Sequence, residues 1–406
     1  MIKLEDIRTA AQVIQSIILR TPLVYSPTIS RISECEVYLK LENLQRGGSF
    51  KIRGAAYKIK SNLNVTSKGV VAVSTGNHAQ GVAIASKAAG VPATIVMPLG
   101  TSLTKQEATK GYGAELILKG QNLTEAIEFA QTLAKQSGRP FIHPYDDPDI
   151  IIGQGTIGLE IMEDLPDADV IIVPVGGGGL ISGIAAAVKA IRPETRIVGV
   201  QPSVCPSANE ALMAGNPVRV EDIEEKSSIA DAIMVPQVGF LDFPLLRDLV
   251  DKIVEVTEDQ IAAAILVLLE RKKIMAEGAG AVPLAALLDL SLEIPSGSKV
   301  VLVISGGNID SLLLDKVIHR GLLHQGRLMQ FSVTLEDVPG SIALARLLDI
   351  IAKFQANVVH IHHSREERDM FLNFTRVDLE IETRGFKHNN EIAAALSSAG
   401  YHIELK

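Results

Sequence analysis

Lys51 stands in the stretch LENLQRGGSFKIRGA (Leu41–Ala55), just after a glycine pair and Ser49, where a helix running through Tyr57 is expected to begin. The positive end of a helix weakens an ammonium's hold on its proton and favours anions nearby. A lysine so placed can act as a neutral amine and form an imine with an aldehyde. Taken alone, it reads equally well as a solvated surface lysine. Four consecutive glycines, Gly176–Gly179, follow the aliphatic run ending at Val175 and precede a helix expected near Leu180. Their bare backbone N–H groups suit a phosphate monoester. A dinucleotide fingerprint fits less well, because its glycines are spaced and an acid usually ends the next strand. Here Val200 is followed by Gln201. In STGNHAQG (Ser74–Gly81), the residues Ser74, Thr75, Asn77 and His78 crowd hydrogen-bonding groups onto one strand-to-helix turn. They can cap the helix or hold a carboxylate. Ser305–Asn308 (SGGN) ends another aliphatic run and brings a hydroxyl to a strand end.

The elements that must position these groups are legible as short aliphatic runs separated by helical stretches. Strands are expected at Val70–Ser74, Ala93–Met97, Val170–Val175, Arg196–Val200 and Lys299–Ser305, with a helix over Ala79–Ala89. Strands so spaced imply right-handed crossovers and parallel sheet covered on both faces. Ligands of such sheets gather at the carboxyl ends of the strands, where the glycine run and SGGN both lie. Near Gly326 the pattern changes to strand, helix, strand, strand, helix, strand, which is the ferredoxin-like order.

Composition narrows the function. A chain of 406 residues is expected to hold more than one domain. Its 47% hydrophobic content with no tryptophan suits an aliphatic α/β core. The net charge of −8 argues against a nucleic-acid surface. No stretch is long and apolar enough for a membrane helix, and the charged start MIKLEDIRTA is not a secretory signal. A cytoplasmic location is the expectation. Cys35 and Cys205 are too few for a disulfide framework and are read as structural. His360 and His362 share one face of a predicted strand, best read as an edge or interface strand because no further ligand follows at metal spacing.

The four glycine- and hydroxyl-rich segments, with HPYDD (His143–Asp147), GQGTIGLEI (Gly153–Ile161) and EGAGA (Glu277–Ala281), resemble the fold-type II pyridoxal-phosphate enzymes over residues 5–325. The branch they are most similar to is that of the serine/threonine dehydratases. The resemblance implies an α/β, two-lobed, parallel-sheet catalytic domain of the tryptophan synthase β type over residues 1–325. It implies pyridoxal 5′-phosphate on Lys51, with Phe50 packed on the pyridine ring and Asn77 bonded to its 3′-oxygen. The phosphate would take backbone N–H groups of Gly176, Gly177, Gly178, Gly179 and Leu180, and Ser305 would face the pyridine nitrogen. A hydroxyl there makes the ring a weaker electron sink than a carboxylate would, which suits elimination better than transamination. Ser74, Thr75, Asn77 and His78 would hold the substrate carboxylate, and the freed Lys51 amine would take the α-proton. Threonine would give 2-oxobutanoate and ammonia; serine would give pyruvate.

Many dehydratases of this family have alanine where Thr75 stands, whereas serine racemases have a serine. The hydroxyl of Thr75 therefore keeps serine racemase or threo-3-hydroxyaspartate ammonia-lyase activity as the alternative. Racemase-like members bind a divalent ion through acidic residues after a strand; the matching stretch Gln201–Ser207 has no carboxylate, so no metal is expected there. Glu277 reads equally as a functional group or a packed helix-start residue. Residues 326–406 resemble the ACT regulatory domain, with Asp337, Pro339 and Gly340 at its first turn and Asn357 in its later loop-to-strand position. That implies an amino-acid effector, isoleucine or valine, and a homodimer or homotetramer; a dimerisation module without ligand is the other reading. From other classes, a nucleotide-binding oxidoreductase would need the missing fingerprint. A catalytically dead amino-acid sensor would not need Lys51, Asn77, the glycine run and Ser305 intact.

Overall fold

Aliphatic runs too short for helices become buried strands, because only a covered sheet hides them and pairs their backbone at once. The computed structural model describes residues 2–223, 226–289, 292–338, 341–365 and 373–406. It divides into two units, Met1–Leu313 and Leu314–Lys406. The strands of the first unit are β1 (Leu23–Tyr25), β2 (Glu36–Leu41), β3 (Val70–Val73), β4 (Ala93–Met97), β5 (Glu115–Leu118), β6 (Val170–Pro174), β7 (Arg196–Pro202), β8 (Lys252–Val256) and β9 (Lys299–Ile304). They form a six-stranded sheet in the order β1-β2-β9-β6-β7-β8 and a three-stranded sheet β3-β4-β5. Pairing is parallel throughout except between β1 and β2. Every residue of β3, β4 and β6 is buried. The sequence does not announce β2, β5 and β8 in the same way: β5 and β8 carry exposed positions, and β2 is interrupted by the buried Lys40.

Three helices fix the geometry between the two sheets: Lys51–Ser61, Pro148–Asp164 and Gly179–Ile191. The middle one carries GQGTIG and is buried along almost its whole length. A Cβ on Gly153 would lie 2.6 Å from Gly54 Cα, and one on Gly155 would lie 2.9 Å from the Gly183 carbonyl oxygen. At both crossings the backbones touch, so any side chain would push the helices apart.

Beside that seam four charges are buried together. Arg53 is fully buried and bonds two carboxylates, with Nε and Nη2 donating to Glu42 at 2.8 and 2.7 Å and Nη1 and Nη2 to Glu160 at 2.7 and 2.9 Å. The Lys40 ammonium completes the set, donating to Glu160 at 2.5 Å and to the Thr21 carbonyl at 2.7 Å. The Thr21 hydroxyl donates to Glu42. Two positive and two negative groups thus neutralise one another. Burial pushes the Glu160 carboxyl up, but Arg53 and Lys40 outweigh it and hold it below its ordinary value.

In the second unit, β10 (Leu328–Glu336), β11 (Asn357–Ser364), β12 (Phe374–Glu382) and β13 (Ile403–Leu405) form an antiparallel sheet in the order β11-β12-β10-β13. With helices Ala343–Lys353 and Phe386–Ser398 this is the strand and helix order read from the sequence. Phe331, Val333, Leu347, Ile351, Val377 and Ile392 form its core. β11 is an edge strand, exposed along most of its length, with a bulge between Val358 and His360. The expected turn at 366–370 lies outside the described residues.

Removing one member of a buried charge set strands its partners without water. Arg53→Met is therefore expected to lower unfolding stability by about 3–5 kcal/mol, read from urea denaturation. Arg20→Ala, which breaks half-exposed pairs to Glu163 and Asp164, should cost less than about 1 kcal/mol in the same measurement.

Candidate active site

Phe50, Lys51, Ser74–His78, Gly176–Leu180 and Ser305 all line one cavity of about 850 Å³ in the first unit. Every catalytic, cofactor and substrate residue expected from the first-unit sequence is thus brought together, by elements as far apart in sequence as Lys51 and Ser305. The reason is topological. The helices Lys51–Ser61, Asn77–Ala89 and Gly179–Ile191 all begin at the cavity, and β9 ends there. Orphan N–H groups of three helix starts therefore face one space.

The loop bearing Lys51 is stitched to the end of β9. Phe50 N donates to the Ser305 carbonyl at 3.1 Å and Gly307 N to the Gly48 carbonyl at 2.9 Å. The Lys51 ammonium nitrogen donates to the Pro144 carbonyl at 2.9 Å and lies 5.1 Å from the Phe50 ring centroid. Burial lowers its pKa to about 8, against the opposing pull of the Asp242 and Glu277 carboxyls. A lysine nitrogen tuned this way is a nucleophile and base near neutral pH.

The glycine run needs its lack of side chains. A Cβ on Gly177 would run into the Tyr145 ring, and one on Gly178 would meet Asp242 Cβ at 2.7 Å. Gly178 also has φ +110°, which favours glycine. Bare N–H groups at the start of Gly179–Ile191, facing a buried amine, fit a phosphate-bearing aldehyde such as pyridoxal 5′-phosphate.

Asn77 is clamped from both sides. Its Nδ2 donates to Glu277 Oε1 at 2.7 Å, and its Oδ1 accepts from Asn308 Nδ2 at 2.8 Å. One amide hydrogen is left to face the cavity. Burial, then the nearby Asp231 charge, raises Glu277 to about 8 even though the Asn77 bond opposes it. Burial, reinforced by the positive Lys51, lowers His78 to about 3, so the imidazole is neutral and donates Nε2–H to the Ile142 carbonyl at 2.9 Å. Ser74 Oγ accepts from Gly76 N at 3.0 Å, while Thr75 lines the cavity wall.

Four side chains matter here to which the sequence reading gives no definite role, Glu277 reading there equally as a functional group or a packed helix-start residue. Glu277, Asn308 and Tyr145 stand inside the recognised segments EGAGA, SGGN and HPYDD, and those segments were the available signal. Asp242 stands in none. In the second unit, Asp337 Oδ2 accepts from Arg365 Nε at 2.9 Å, and Asn357 Nδ2 donates to Glu382 at 3.4 Å. Pro339 and Gly340 lie outside the described residues.

The lowered Lys51 pKa has a direct readout in the cofactor-free chain. Below about pH 8 the amine is an ammonium, so acylation of Lys51 should rise tenfold per pH unit up to there and then level off. Surface lysines should keep rising towards about pH 10.4, with peptide mass spectrometry separating the two. A Lys51 profile parallel to the surface set would contradict the burial argument.

Comparison with known proteins agrees with this geometry. The pyridoxal-phosphate dependent enzyme family matches residues 14–306. An L-threonine ammonia-lyase of Thermotoga maritima is 47% identical over 406 residues, covering 100% of both chains. One of Geobacter sulfurreducens is 46% identical over 387 residues, 95% of each. Among solved structures, a threonine deaminase of T.th. aligns with TM-score 0.72 and 39% identity, over 76% of this chain and 99% of that one. A maize serine racemase aligns with TM-score 0.74 and 35% identity, over 79% and 98%. With a buried amine and a bare glycine run in one cavity, and a family match this far along its length, the chain belongs to the pyridoxal-phosphate-dependent enzymes.

Proposed function

We propose that this chain deaminates L-threonine to 2-oxobutanoate and ammonia, with L-serine to pyruvate as a secondary reaction. The observation that carries the reading is the Lys51 amine, buried and tuned to about 8 in the same cavity as the glycine run. The end-to-end 47% identity to an L-threonine ammonia-lyase supports the choice of substrate.

Bound pyridoxal phosphate supplies an electron sink that makes the substrate α-proton removable. Lys51 would hold the cofactor and, as a free amine, would take the substrate α-proton as general base. Backbone N–H groups of Gly176, Gly177, Gly178, Gly179 and Leu180 would hold the phosphate, and Phe50 would cover the ring. Asn77, kept in place by Glu277 and Asn308, would offer its remaining amide hydrogen to the 3′-oxygen. The Ser305 hydroxyl would face the ring nitrogen. The Ser74 and Thr75 hydroxyls, with the backbone N–H groups of Asn77 and His78 at the start of their helix, would bind the substrate carboxylate, while the neutral His78 ring stays bonded to the Ile142 carbonyl. The catalytic reading covers residues 1–325. Residues 326–406 are read as an ACT-like regulatory domain binding isoleucine or valine near Asp337, in a cytoplasmic homodimer or homotetramer serving isoleucine biosynthesis. The order of strands and helices in the second unit supports that reading.

Purified protein should show a visible cofactor band that is lost as a protein-linked species in Lys51→Ala, and L-threonine should yield 2-oxobutanoate. A band without 2-oxobutanoate, together with D-serine formed from L-serine, would favour the racemase reading that Thr75 keeps open. Gly177→Ala, whose methyl would collide with Tyr145, is expected to weaken cofactor binding by about tenfold or more in equilibrium dialysis. Dialysis of the full chain against labelled isoleucine and valine tests the regulatory reading, and Asp337→Ala should reduce retention of whichever binds.

A further inference from the structure

Asp242 is the first residue of the helix Asp242–Leu249 and is fully buried. Neither of its carboxyl oxygens has a hydrogen-bond partner. It lies directly behind the glycine run, where the position of a Cβ on Gly178 is 2.7 Å from Asp242 Cβ and 3.2 Å from its Cγ. Asp146 shares the neighbourhood: a Cβ on Gly239 would touch both carboxyls. Asp146 itself is occupied, its Oδ1 accepting from Leu241 N at 2.8 Å. A buried carboxyl with two idle oxygens is costly in either state, and far more so when charged. Behind a cradle that takes a phosphate, a carboxylate would also repel its own ligand.

We propose that Asp242 is part of the cofactor site, held as a neutral carboxylic acid behind the glycine run so that the cradle accepts a doubly charged phosphate. The inference rests on the reading that Gly176–Leu180 take the cofactor phosphate. The surroundings favour the neutral form. Burial raises the Asp242 pKa well above the ordinary carboxyl value and the Asp146 charge adds to the rise; the nearby Ser182 hydroxyl, which donates to the Asp242 backbone carbonyl at 3.4 Å rather than to the carboxyl, and the Lys51 ammonium oppose it. The Tyr145 hydroxyl, which donates to the Gln237 carbonyl at 3.4 Å, is pushed up to about 12 by burial and the nearby Asp146 and Asp242, and carries no charge near neutrality. Arg219 opposes that rise. On the helix of Asp242, Arg247 is turned to Asp248 at the surface. Asp242 is thus a positioning residue acting through charge: neutral, it can donate its proton towards the cradle; ionised, it opposes the phosphate.

The test uses the full chain stripped of cofactor and loaded with pyridoxine 5′-phosphate, which has the phosphate but no aldehyde for Lys51. Infrared difference spectra between wild type and Asp242→Asn should show the carbonyl stretch of a protonated acid near pH 7, belonging to Asp242. The subtraction separates it from Glu277. Asp242→Asn, a neutral isostere, should keep affinity within about threefold of wild type, since no ionic contact is lost. Where rising pH removes the infrared band, wild-type affinity should fall by about tenfold per unit relative to Asp242→Asn. Absence of the band near neutrality would overturn the proposal, as would loss of the band without any divergence in affinity. Failure of the wild type to bind pyridoxine 5′-phosphate at any pH would overturn the cradle reading itself, and the proposal with it.

Discussion

The position of every reacting group depends on backbone contact at one helix. Pro148–Asp164 touches Lys51–Ser61 on one side through Gly153 and Gly54, and Gly179–Ile191 on the other through Gly155 and Gly183. One neighbour carries the amine and the other follows the glycine run. Their separation is therefore set by the van der Waals radii of main-chain atoms, which are stiffer than any side-chain packing. The buried charges of Arg53, Lys40, Glu42 and Glu160 lie beside the same seam. They bind the Lys51 helix to Glu42, just after β2, and to Pro148–Asp164, and bind β2 to Pro148–Asp164, by directional bonds, so the helix is held in rotation as well as in distance.

Burial pushes four groups in and behind the cavity in one sense, towards neutrality. It lowers Lys51 and His78 and raises Glu277 and Asp242. Where these groups lie, few fixed charges remain; the other charged side chains of the lining are Lys105, Arg219, Lys226, Asp231 and Asp310. Recognition then falls to backbone N–H groups and neutral donors such as Asn77, whose direction is fixed by Glu277 and Asn308. Such donors favour an anion without needing a counter-charge that must itself be dehydrated.

The site was legible where chemistry is local to a segment. GSFKIRGA, STGNHAQG, VGGGG and SGGN each pair a strand end or loop with a helix start, and such turns read directly from residue type. The order of elements in the second unit was legible for the same reason, since each amphipathic stretch is contiguous. What stayed hidden depends on residues meeting across the fold. Lys40 in β2 looks like a strand-breaking charge until Glu160 is seen 120 positions away in sequence. Asp242 gives no local signal at all, because its meaning comes from Gly178 in front of it and Asp146 beside it. β5 and β8 escaped notice because their partly exposed residues lack the unbroken aliphatic run of a fully covered strand.

The balanced charge cluster also has a thermal consequence. Charged groups are hydrated with a strongly unfavourable entropy, so the free energy of dehydrating them falls as temperature rises, while hydrophobic stabilisation per unit area levels off. On warming, the bonds joining Arg53 and Lys40 to Glu42 and Glu160 gain weight relative to the aliphatic cores of the two sheets. The Lys51 helix is then tethered by the part of the fold that heat weakens least, and loosening should begin in the lobes before it reaches the seam where the amine and the glycine run face each other.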